Sequence, residues 1–143
     1  MNFNIPNKQH LNEQEQEIND QIALLSSEQK RVFYEEKQQK WKDHDTYAVM
    51  AYLCFFSMYY LYLKQYKHFC FYAALQLVFY CSLVLSYQAD WYFWQLLGMG
   101  FVPILLQALY HSMFSEQIVR AYNINMCKII LKHINSLKNK VSR

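Results

Sequence analysis

The chain has 143 residues, is 54% hydrophobic and 18% aromatic, and carries 14 Lys and Arg against 11 Asp and Glu. That length allows one domain, and the net charge of +3 is too small and too dispersed for a nucleic-acid surface. The four cysteines, Cys54, Cys70, Cys81 and Cys127, show no CxxC and no paired spacing, which argues against a disulfide framework or a thiolate metal site.

The charge is not evenly spread. Residues 1–46 carry a net −3, residues 47–114 a net +1 and residues 115–143 a net +5. The chain therefore reads as three segments: a polar arm (1–46), an apolar centre (47–114) and a basic tail (115–143).

The arm opens with nine irregular polar residues and then turns helical. Leu11, Ile18, Leu25 and Val32 repeat at seven, with Ile22 and Phe33 beside them, giving a narrow apolar stripe. Ser26 followed by Gln29 fits a capping box, so two helices are expected, at about 10–25 and 27–43. Glu13, Glu15, Glu17 and Asp20 all precede the first Arg, unlike a cleavable organelle-targeting peptide.

The centre contains only three charged residues, Lys64, Lys67 and Asp90. They divide it into apolar blocks at 47–63, 69–87 and 91–114. A helix needs about 17–25 apolar residues to cross a bilayer, so three transmembrane helices joined by short loops are expected. The fold class read from the sequence is thus an all-α membrane protein with an N-terminal polar helical arm and a C-terminal basic amphipathic helix. With three crossings, arm and tail lie on opposite sides. The flanking bases do not orient the bundle: Lys30, Arg31, Lys37, Lys40 and Lys42 balance Lys64, Lys67, Arg120, Lys128 and Lys132.

The blocks hold no Asp, Glu, Lys or Arg, so a proton- or ion-pumping role is not expected of this chain alone. His68 and His111 mirror to similar depth on adjacent antiparallel helices and are the only haem candidates; an interfacial role is the plainer reading. In the third block Gly100, Pro103, Gln107 and His111 share one helical stripe. With Gly98 and with Gln76 of the second block, Gly100, Pro103 and Gln107 make an expected helix-packing face. Phe79 reads as bulk facing lipid or a partner. Tyr59, Tyr60, Tyr62, Tyr66, Tyr72 and Tyr110 read as an interfacial belt, and Tyr87 with Trp91, Tyr92 and Trp94 as another.

In the tail, Ile118, Tyr122, Met126, Ile129, Ile130, Ile134, Leu137 and Val141 oppose Arg120, Lys128, Lys132, Lys138, Lys140 and Arg143, with a bend anticipated at Asn123–Asn125. Such a basic amphipathic helix suits an anionic lipid such as cardiolipin, or an acidic partner.

No P-loop, GxSxG, HExxH, GxGxxG or metal-ligand quartet is present in the sequence, and no catalytic activity, metal or cofactor is expected. The expected role is an accessory, structural subunit of a large membrane complex. The mitochondrial inner membrane and its respiratory chain are the first placing, and ATP synthase is the next. A small oligomeric transport or lipid-handling protein of the endoplasmic reticulum is the alternative. The partners expected are other membrane subunits and anionic lipid.

Overall fold

A computed structural model describes residues 7–52, 57–86 and 90–141, with the side chains of 90–94, 96 and 138–141 outside that description. Among the described residues the chain is all-helical, with no strand. Seven helices follow in order: α1 (Lys8–Ala23), α2 (Ser27–Lys40), α3 (His44–Tyr52), α4 (Met58–Tyr62), α5 (Tyr66–Ser86), α6 (Asp90–Met113) and α7 (Ser115–Val141). They form two compact units, one of residues 1–43 with 116–143 and the other of 44–115.

The first unit brings the polar arm and the basic tail together. Asn7 caps α1 by accepting from the Gln9 N–H at 3.1 Å, so the helix starts two residues before its expected place. The capping box is present at α2: Ser26 Oγ accepts from the Gln29 N–H at 3.3 Å, and Gln29 Oε1 accepts from the Ser26 N–H at 3.0 Å. Lys30 Nζ donates to the Ala23 carbonyl at 3.1 Å, covering one of the carbonyls orphaned where α1 ends.

The apolar stripe of the arm meets the apolar side of α7. Leu11, Ile18, Ile22 and Phe33 share a buried core with Ile124, Met126, Cys127, Ile130, Leu131 and Ile134. Each large aliphatic or aromatic side chain so buried contributes about 1.5–3 kcal/mol, which is what lets such a polar arm fold at all. The tail side chains expected to meet lipid, Met126, Ile130 and Ile134, are spent inside the protein, while Ile129 and Leu137 of the same helix stay exposed.

Asn123 lies within a continuous α7, so the anticipated bend at Asn123–Asn125 is absent. The residue has another task. Buried at 4% exposure, its Oδ1 accepts from the Lys42 N–H at 3.1 Å and its Nδ2 donates to the Lys42 carbonyl at 2.8 Å. This amide clamp satisfies backbone groups just past the end of α2 and fastens the exit of the arm to the tail.

In the second unit, α3 packs on α4 and α6, α4 on α5, and α5 on α6. The expected helix over 47–63 is not one helix. The described residues hold the nine-residue α3 and the five-residue α4 in its place, with Ser57 in the left-handed region at φ 55° ahead of α4. Tyr47 of α3 touches both Tyr59 and Tyr62 of α4, so the chain turns back on itself within this stretch. Residues 53–56, Cys54 among them, lie outside the described part.

Helix α4 closes with paired bonds from the Gln65 N–H to the Tyr60 carbonyl (2.8 Å) and from the Lys64 N–H to the Leu61 carbonyl (2.9 Å). This is a Schellman motif, and Lys64 takes its left-handed position at φ 56° in the absence of a glycine. Among the described residues one helix, Tyr66–Ser86, is long and apolar enough to cross a membrane by itself, and a second candidate arises if Leu97–Met113 and Ser115–Leu137 are joined as one broken span.

Candidate functional site

Short helices dense in tyrosine, folded back on one another, have to bury phenol hydroxyls, and each hydroxyl then needs a partner. The second unit meets that demand around His111. Tyr47 is fully buried, and Tyr59, Tyr60 and His111 are each less than a tenth exposed. The Tyr47 hydroxyl lies 2.7 Å from His111 Nδ1, and the Tyr60 hydroxyl 3.4 Å from His111 Nε2. Gln107 Nε2 donates to the Tyr60 hydroxyl at 3.3 Å.

The rings are packed as well as bonded. Tyr59 lies against His111 with centroids 4.4 Å apart, and Tyr60 stacks on Tyr72 at 5.1 Å and 9°. Tyr47 comes from α3, Tyr59 and Tyr60 from α4, Tyr72 from α5, and Gln107 and His111 from α6. The His111 imidazole thus ties α6 to α3 and α4, and α5 joins the cluster through Tyr72 and His68 on the Tyr60 ring.

A neutral imidazole donates from one nitrogen and accepts at the other, and each phenol can take either role, so the Tyr47–His111–Tyr60 chain has two self-consistent tautomeric arrangements. Its members need no change of charge to stay bonded.

The two haem candidates come together here without facing each other. The Tyr60 ring lies 5.7 Å from His68 and 5.5 Å from His111. Both His111 nitrogens are already engaged, so ligation through them would break a buried hydrogen bond. No group of three or more His, Cys, Asp or Glu with metal-binding placement occurs among the described residues.

The expected packing face of α6 is divided. A Cβ added at Gly100 would overlap the Phe79 ring of α5, whereas one at Gly98 would meet nothing within 4 Å. Phe79 is therefore a tenant of the α5–α6 contact, which corrects its reading as bulk facing lipid or a partner. Pro103 lies inside α6, and Gln107 has gone to Tyr60. Gln76 is buried at 6% exposure, and its Oε1 has no hydrogen-bond partner among the described residues. The interfacial-belt reading of Tyr59 and Tyr60 is also corrected, since both lie in the core.

Among the residues expected to hold lipid headgroups, Arg120 is otherwise occupied. Its Nε and Nη2 donate to the two carboxylate oxygens of Glu15 at 3.0 and 2.8 Å, and Nη2 also donates to Asn12 Oδ1 at 2.8 Å. The Glu15 carboxylate, and after it Glu116, hold the guanidinium pKa above its ordinary value. Lys128 and Lys132 are exposed on α7, while the side chains of Lys138 and Lys140 lie outside the described residues.

Sequence reasoning missed Tyr47 and Tyr60 as core residues and Asn123 as a clamp. Seven tyrosines between 47 and 72 were the available signal for the first two. A lone Asn on an apolar helix face was the signal for the third. Comparison with known proteins finds no family model, no curated protein and no solved structure that matches this chain.

Proposed function

We propose that the chain is an accessory, structural membrane subunit of a larger assembly. A respiratory-chain complex of the mitochondrial inner membrane is the first place to look, ATP synthase the next, and an endoplasmic-reticulum transport or lipid-handling protein the alternative. One observation carries this reading: α5 is apolar along its length and almost wholly uncovered. Phe71, Leu75, Leu77, Val78, Val84 and Leu85 are all more than half exposed, and they point to different sides of the helix. Such a surface calls for lipid on some sides and partner helices on others.

The arm and tail, by contrast, satisfy each other, so the demand for partners falls on α5 and α6. Partner subunits and an anionic lipid such as cardiolipin belong to this proposal, with Lys128 and Lys132 as the exposed bases that remain for headgroups.

The same reading revises the number of crossings. Arm and tail share one unit, so they lie on the same side of any bilayer, and the number of crossings is even. Two crossings fit: α5 with 21 residues and α6 with 24, about 31 and 36 Å long at 1.5 Å per residue. Helices α3 and α4 then enter and return without crossing. α7 does not serve as part of a span, because one side of it fills the core of the first unit and the others carry Arg120, Lys128 and Lys132.

The test is purification of the tagged protein from its own cells in mild detergent, followed by a native gel and identification of co-migrating proteins. Migration within a large membrane complex is expected, and a stable species of the chain alone would overturn the proposal. Microscopy of the same tag separates mitochondrial from reticular placement.

A further inference from the structure

Between α5 and α6 lies a cavity of about 290 Å³. Gly100 gives α6 no side-chain bulk there, and the Phe79 ring lies where its Cβ would be. Pro103 and Ile104 wall one side, Tyr72 and Phe79 the other. No charged residue lines it. Leu75 lines it too and is half exposed on the outside of α5, so the cavity opens sideways, towards what the proposed function makes the membrane.

Gln76 lines this space and is 94% buried, and its Oε1 has no hydrogen-bond partner among the described residues. A buried amide oxygen without a donor is a destabilising feature, and a leucine of similar volume would have avoided it. An amide placed there calls for something that bonds to it.

We propose that this cavity binds the hydroxyl end of a neutral lipid alcohol, with Gln76 as the hydrogen-bonding residue. The uncharged lining excludes an ionic headgroup, which would be buried without a counter-charge. A hydroxyl both donates and accepts, so it meets the Gln76 amide whichever end is turned to the cavity, whereas a carbonyl compound can only accept. The volume is at the small end of ligand pockets and holds one ring or one glycerol, leaving the apolar remainder to emerge past Leu75. A sterol and a diacylglycerol share this chemistry. The inference rests on the membrane reading of α5 and α6 but not on membership of a complex.

The test uses the full chain in lipid nanodiscs with three photoactivatable probes: a sterol, a diacylglycerol and the methyl ether of the same sterol. Saturable labelling by one of the two alcohols within residues 72–79 or 100–107 is expected, and the alcohol that labels identifies the source. Loss of one hydrogen bond to the hydroxyl is worth roughly tenfold. Gln76→Leu should therefore cut labelling by about that factor while unfolding no earlier than wild type, since it removes the orphan amide. If the sterol is the ligand, its methyl ether should fall equally short on the unaltered protein.

Absence of saturable labelling by either alcohol would overturn the proposal. So would a Gln76→Leu variant that labels as well as wild type, a methyl ether that labels as well as the sterol where the sterol is the alcohol that labels, or a dimer whose cross-links run through these same residues. A chain that does not insert into nanodiscs would overturn the membrane reading together with this one. A chain that inserts and does not label would overturn this one alone.

Discussion

Asn123 shows how much one side chain can decide. Both ends of its amide are used on the Lys42 backbone, and the site is closed to water. Asn123→Ala removes both of these hydrogen bonds, at a cost of about 2 kcal/mol. Cys127 supplies the readout, being buried in the same core, with desolvation raising its thiol pKa. In a variant keeping only that cysteine, Asn123→Ala should speed maleimide labelling roughly thirtyfold through local opening. An unchanged rate would mean that the clamp holds nothing. The pH response belongs to Glu36. Lys40 donates to its Oε2 at 2.7 Å, and His133 of α7 lies 3.6 Å from its Oε1. The hydrogen bond from Lys40 does most to hold this carboxyl below the usual carboxylate range. A lowered pKa in the folded state means stabilisation that is present above the unfolded value and lost as pH falls through the folded one. Protection of Cys127 should therefore decline on the acid side, and Glu36→Gln should flatten that limb while leaving neutral pH little changed.

At the scale of elements, what the sequence made legible was whatever short-range chemistry decides. The Ser26–Gln29 capping box, the stripe of Leu11, Ile18 and Ile22, and the apolar α5 could be read because spacing alone encodes them. The break between α3 and α4 could not. Its left-handed residue is Ser57, and the one that closes α4 is Lys64; neither is Gly, so composition carried no sign of a stop. Seventeen apolar residues read equally well as one helix or as two folded back, and only tertiary contact through His111 selects the second. The Gly100–Phe79 contact was half legible: the glycine announced a close approach, but not which residue would make it. Gly100→Leu would overpack this contact at about 1–3 kcal/mol and lower the melting temperature in detergent. Phe79→Ala in the same chain should recover part of that loss, because the ring is what a new side chain meets. Additive losses in the double variant would show that the two positions do not touch.

For the molecule as a whole, the opposite charges of arm and tail were visible in composition, but their meaning was not. Each looked like half of an interface with something else, and neither could be seen to complete the other across more than a hundred residues of sequence. The pairs that join them, Arg120 with Glu15 and Lys8 with Glu116, are far apart in the chain and invisible to any local pattern. Solvent-screened pairs of this kind add about 1 kcal/mol or less each, so the shared apolar core does most of the joining. The consequence is topological, and it can be measured in sealed vesicles. With the four native cysteines replaced, single cysteines are introduced as Glu28→Cys in the arm and Lys132→Cys in the tail, both at exposed positions. Each is then treated with a membrane-impermeant maleimide before and after the vesicles are opened. Arm and tail packed as one unit predict that the two cysteines are labelled, or protected, together. Labelling of one with protection of the other would place them on opposite sides, restore an odd number of crossings and contradict the account.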